Sequence, residues 1–169
     1  MAGSSVVVLG IELEKRSAGD IIRADDDNKK RDALLKILEK LEEYAAVVVF
    51  DRAEIVTSLS DLRDKTESLP VVSFGDYVFA EHHNTIINIL SGIADVLSLL
   101  FGEILAVEEI KSEAQSLQLV GRGNMVSASL HNSIVEILKK IADLLERYTI
   151  TEVVLWDDVE VKLYLAPEK

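Results

Sequence analysis

The chain has 169 residues, 49 % of them apolar, and a formal net charge of −12 from 18 Lys and Arg against 30 Asp and Glu. That length makes a single domain with ample apolar residues for a core. The acidic balance argues against a nucleic-acid binder and against an anionic membrane surface as partner. There is no cysteine, which excludes disulfide frameworks and Cys-based zinc or redox sites. Seventeen glutamates beside two glutamines and five asparagines fit the composition of a thermophile's soluble protein. Met1–Ser5 carries no basic residue and the apolar run Val6–Leu9 is short, so no signal peptide is expected and a cytoplasmic location follows by default.

In chain order, Ser4–Leu13 reads as a strand, since β-branched residues dominate it. Asn28–Ala45 reads as an amphipathic helix with Leu34, Leu38, Leu41 and Ala45 on one face. Asp25, Asp26 and Asp27 precede it and favour its dipole; the loop pattern of a metal site is missing there. Ala46–Phe50 and Glu54–Leu59 read as strands around the turn Asp51-Arg52-Ala53. Ser60–Ser68 is polar, and Leu69-Pro70 closes it. Val71–Phe74 and Tyr77–Ala80 read as a hairpin around Gly75-Asp76.

Ile86–Phe101 is the most apolar stretch, and it is too short and too interrupted for a membrane span. As a helix it carries Asn84, Asn88, Ser91, Asp95 and Ser98 on one narrow stripe and is apolar elsewhere. Ile86, Leu90, Ile93, Leu97 and Leu100 are expected to lie on a sheet. Ile87, Ala94 and Phe101 form one flank, Ile89 and Val96 the other, and these five are the candidate self-association residues. Gly102 ends the helix. Glu103–Lys111, Gln115–Val120 and Asn124–Leu130 then read as three strands, the last two joined by the turn Gly121-Arg122-Gly123-Asn124. Ser133 has capping-box spacing to Glu136 and opens the last helix, with Ile134, Leu138, Ile141, Leu145 and Tyr148 on its buried face. Thr149–Trp156 and Val159–Leu165 form a C-terminal hairpin around Asp157-Asp158. No internal repeat is evident.

Candidate chemistry is sparse. His82 and His83 are adjacent, which places their rings about 100° apart on a helix and makes a poor chelate. His131 sits just before the capping Ser133, where a structural role is favoured. Gly121–Asn124 lacks the third glycine of a dinucleotide fingerprint, with Val126 in its place, and a turn is the better reading. Ser127 and Ser129 lie among structural neighbours, and Glu108 and Glu109 are expected to face opposite sides of a strand. No catalytic, cofactor-binding or metal residue is assigned.

The order helix, strand, strand, helix, three strands, helix over residues 28–148 resembles the roadblock/dynein-light-chain family, with its profilin-like and longin-like fold. Ala46–Phe50 with Glu54–Leu59, the helix Asn84–Phe101, the three-strand meander and the helix His131–Tyr148 carry the resemblance. It implies an α+β fold: an antiparallel sheet with helices on both faces, residues 60–80 as an insertion, and an added N-terminal strand and C-terminal hairpin at 149–166. It further implies a non-catalytic, homodimeric interaction module, a scaffold or regulator with a small Ras-like GTPase as a candidate partner. Two alternatives stand beside it: a small-molecule-binding or enzymatic α+β domain with a pocket near His82, His83 and Gly121–Asn124, and a structural subunit of a larger assembly.

Overall fold

The computed structural model describes the backbone of residues 3–48, 51–76, 78–153 and 162–167, and side chains within these as far as Tyr148. The elements run β1 (Ser5–Val8), β2 (Ile11–Glu14), α1 (Ala24–Ala45), α2 (Arg52–Glu67), α3 (Ala80–Phe101), α4 (Leu105–Ser116), α5 (Ala128–Arg147), β3 (Tyr148–Val153) and β4 (Lys162–Pro167). The expected antiparallel sheet with helices on both faces does not form. Among the described residues the strands make two separate antiparallel pairs, β1 with β2 and β3 with β4. The element order that carried the roadblock resemblance is therefore not the order of this chain.

Each misread strand has a physical reason. The β-branched run Ile55-Val56-Thr57 suggests a strand, but Ile55, Leu59, Leu62 and Thr66 recur every three or four residues and are buried together on α2. Asp51 supplies the left-handed turn (φ 53°) that starts this helix. Val107, Ile110 and Ala114 likewise make the buried stripe of α4, where alternation over Ile104–Val107 suggested a strand. Glu108 and Glu109 are both exposed on that helix. Asn124–Leu130 is a turn followed by the first residues of α5, whose cap lies nearly two turns before the expected Ser133. Ser127 is the N-cap, its hydroxyl accepting from the Leu130 N–H at 3.1 Å. The expected hairpin about Gly75-Asp76 is also a turn that leads into a helix; Tyr77 lies outside the described residues. In the N-terminal strand, Leu9 and Gly10 at positive φ (45° and 83°) fold Ser4–Leu13 back into the β1–β2 hairpin. The C-terminal strands pair as expected, Thr149 opposite Ala166 and Val153 opposite Lys162, and the turn Asp157-Asp158 lies outside the described residues.

Three helices, α1, α3 and α5, form an inner trio. Outer elements fill the grooves between them: α2 packs on α1 and α3, α4 on α3 and α5, and the β1–β2 hairpin on α5 and α1. Gly92 of α3 permits the α2 approach, since a Cβ there would stand 2.5 Å from the Leu62 Cδ2 atom. The inner trio contributes the same residue types to the core at equivalent positions. Leu34, Leu90 and Leu138 are fully buried, as are Ile37, Ile93 and Ile141, with Leu41, Leu97 and Leu145 below them. Aromatic rings cluster toward the far end, where Phe101 lies 5.8 Å from Tyr44 and 5.2 Å from Tyr148.

The apolar excess of α3 is thus used inside the chain. Ile87, Ala94, Ile89 and Val96 are buried and Phe101 is half-buried, with α1, α2 and α4 of the same chain as the neighbours of α3. The helix meets the length and composition of a membrane span after all, with 22 residues and a hydropathy of 1.6 over its most apolar window. That apolarity is the signature of a helix packed on three sides.

Candidate functional site

The starts of α1, α3 and α5 converge, and the reason lies in a repeated sequence. Leu13, Gly19, Asp20, Ile22, Ala24, Asp27 and Asn28 recur in the same spacing as Leu69, Gly75, Asp76, Val78, Ala80, His83 and Asn84. They recur again as Leu117, Gly123, Asn124, Val126, Ala128, His131 and Asn132. Between 83–97 and 131–145, nine of fifteen residues are identical. An internal threefold repeat is present, contrary to the expectation of none, and the segment read as an insertion contains part of its second copy.

The repeated glycines, the Asp or Asn that follows each, and the asparagines have local tasks. Gly19, Gly75 and Gly123 all take positive φ (90°, 92° and 83°), a turn that side chains resist. Asp20, Asp76 and Asn124 each donate their N–H to the carbonyl three residues back at 3.0 Å. Asp20 and Asp76 also accept from the Ser17 and Ser73 N–H groups at 2.8 and 2.9 Å. The asparagines do the joining. Asn28 binds the Val72 backbone through both amide atoms, at 2.8 Å each. Asn84 does the same to Val120 at 3.0 and 2.7 Å. Asn132 does it to Arg16 at 2.8 Å twice. Each inner helix is stapled to the loop preceding another, and the three staples close a ring.

Inside that ring sits a buried ionisable centre. Asp27, His83 and His131 occupy the equivalent position of the three repeats and are all essentially inaccessible. Lys30, fully buried, places its Nζ 2.7 Å from the Asp27 Oδ1, and the His83 Nε2 lies 3.4 Å from the same oxygen. His82 packs beside His83 with ring centroids 5.9 Å apart. The His131 Nε2 meets the Glu14 carbonyl oxygen at 2.7 Å, which makes it the protonated nitrogen. Asp26 takes a two-pronged contact from Arg16, at 3.0 and 2.6 Å, and accepts the Arg23 N–H at 2.8 Å. Both ring nitrogens of His82, and Nδ1 of His83 and of His131, make no hydrogen bond among the described residues.

The electrostatics follow from burial and from these contacts. Burial pushes the Asp27 carboxyl up, but His83 and Lys30 outweigh it and hold the group well below the ordinary carboxylate range. The first turn of α1 favours the same anion. Burial pulls Lys30 below its ordinary value while Asp27 opposes the shift. Asp26 is likewise pushed up by burial and held down on balance by Arg16 and the Arg23 N–H. Burial lowers His82 and His131, so both favour the neutral imidazole.

The centre is built to hold helices together. Lys30 occupies the carboxylate oxygen that a cation would need, and among the described residues no three His, Asp or Glu side chains are placed to ligate a metal. The concavity beside Gly121–Asn124, about 380 Å³, is lined by residues of the α4–α5 loop and the start of α5, and neither His82 nor His83 reaches it. Asp25 stays outside the centre, paired with Lys29 at 3.0 Å. Ser129 is exposed. The sequence reading singled out the histidines and the aspartates but missed Lys30 and the three asparagines. The signal for the asparagines was the recurrence of Asp-Asn or His-Asn three and four residues after the repeated alanine. No family model, curated protein or solved structure matches this chain.

Proposed function

We propose that this chain is a non-catalytic protein-interaction module that associates with a second copy of itself. One observation carries the reading. Ile21, Val71, Phe74, Phe79, Leu119 and Met125 are large apolar side chains left exposed, and all lie in the three loops that precede α1, α3 and α5. The staples gather those loops at one end of the molecule. Apolar residues concentrated at one end of a folded chain favour contact with another protein over contact with water. The sealed Asp27–Lys30–His83 group supports a non-catalytic role, because all three side chains are shut away from solvent and so from a substrate.

The test is the mass of the intact protein by light scattering over the micromolar range. A mass near twice 18.7 kDa at the upper concentrations, falling on dilution, is the expected result. A mass of 18.7 kDa throughout overturns the reading.

A further inference from the structure

The internal repeat separates residues kept for the fold from residues kept for something else. Leucine, glycine, Asp or Asn, Ile or Val, alanine and asparagine recur in all three copies; the glycines have their backbone conformation, the Asp or Asn and the asparagines their hydrogen bonds, and the leucines their place in or against the core. One further position recurs in character without any such account. It follows the Gly-Asp or Gly-Asn pair and reads Ile21, Tyr77 and Met125. Ile21 is 76 % exposed and Met125 is 86 % exposed. Tyr77 lies outside the described residues and enters only as a sequence identity. In the two copies where it is described the position faces solvent, where a large apolar side chain gains nothing inside the chain. Val71 and Leu119 make a second pair of this kind at equivalent positions, 67 % and 62 % exposed, where the first repeat has Lys15.

From this pattern we infer that the loop end is the surface on which a second copy of this chain sits, with Ile21 and Met125 in its centre and Val71 and Leu119 beside them. The inference rests on the self-association proposed above and gives it a place. Charge favours this end over any other. The three loops, residues 15–23, 69–79 and 117–127, hold four basic and two acidic residues, in a molecule whose net charge is −12. Two of the four basic groups are already engaged, Lys15 with Glu136 and Arg16 with Asp26 and Glu14. The loop end is thus close to neutral, while the remainder of the surface is strongly acidic and repels its like. A two-fold axis across this end sets apolar loops against apolar loops, which is the self-complementarity that an isologous interface needs.

The experiment compares three full-length proteins by light scattering: the native chain, Ile21→Asp with Met125→Asp, and Val56→Asp. Val56 is an exposed apolar residue of α2, away from the loops. Far-UV circular dichroism and the melting temperature verify that both variants fold. A native dimer that becomes monomeric in the double variant and persists in Val56→Asp is the expected result, with association weakened at least tenfold in the double variant. A dimer that persists in the double variant overturns the surface and leaves the self-association reading standing. A native chain that is monomeric throughout overturns both.

Discussion

The inner helices hold together differently at their two ends. Toward their starts, contact is polar and individual: one lysine, two aspartates, two histidines and three asparagines, each near a named atom. Further along, contact is aliphatic, with leucines and isoleucines at equivalent positions of all three copies buried in one core. Apolar contacts supply most of the driving force but tolerate sliding, because one leucine resembles the next. Directional polar contacts add little net energy and tolerate almost no displacement. The polar end therefore sets which turn of each helix meets which, and the aliphatic end makes the arrangement stable.

Breaking the comparison at its most expensive point means removing one member of the buried pair. Lys30→Met leaves the Asp27 carboxylate buried without its main counter-charge and is expected to cost about 3–5 kcal/mol in urea unfolding. Asp27→His combined with Lys30→Ile rewrites the first repeat to match the other two, and is expected to recover more than half of that loss. Failure to recover it would mean that the charge pair itself, not its satisfaction, is required. On the aliphatic side, Leu90→Ala should cost about 2–5 kcal/mol, with similar values for Leu34→Ala and Leu138→Ala, because all three sites are sealed.

The staples come next. Asn84→Ala orphans the N–H and the carbonyl of Val120 and should cost about 1–3 kcal/mol. It should also raise hydrogen exchange in residues 117–127 ahead of the rest of the chain, which a loss of general packing would not do.

Acid sharpens the contrast further. His82 and His131 have pKa values lowered by burial, so the unfolded chain takes up protons that the folded chain refuses. Stability is therefore expected to fall as pH drops below about 6.5, by at most about 1.4 kcal/mol per pH unit for each histidine. His82→Leu should flatten that slope. Asp26 and Asp27 are lowered too, and their contribution is present above about pH 4 and lost only below it. Smallest of all is the exposed pair of Arg63 and Glu42, two contacts of 2.7 Å joining α2 to α1. Arg63→Met should change stability by less than about 1 kcal/mol, and less still at high salt.

The sequence made the inner helices legible because their stripes are long and regular. The faces of α3, from Asn84 to Ser98 on the polar side and Ile86 to Leu97 on the buried one, are those read from its spacing. The outer helices were not legible. In α2 and α4 the apolar residues are few, and β-branched neighbours such as Val56 imitate a strand over a short window. Context from the packed trio decides their form. The repeat could have been found from His83-Asn84 and His131-Asn132 alone. Its first copy, with Asp27 and Lys30 in place of histidine and isoleucine, hides the third member. The centre escaped notice for the same reason: its parts lie on three helices and only the turn geometry brings them together.

The ring of staples also has a consequence in time. Asn28 reaches forward 44 residues to Val72 and Asn84 reaches forward 36 residues to Val120, but Asn132 must reach back 116 residues to Arg16. Loops of that length close slowly, and during synthesis the last partner emerges only after most of the chain has left the ribosome. The ring therefore cannot close before α5 exists: a chain that lacks it holds the partners of two staples and only one side of the third.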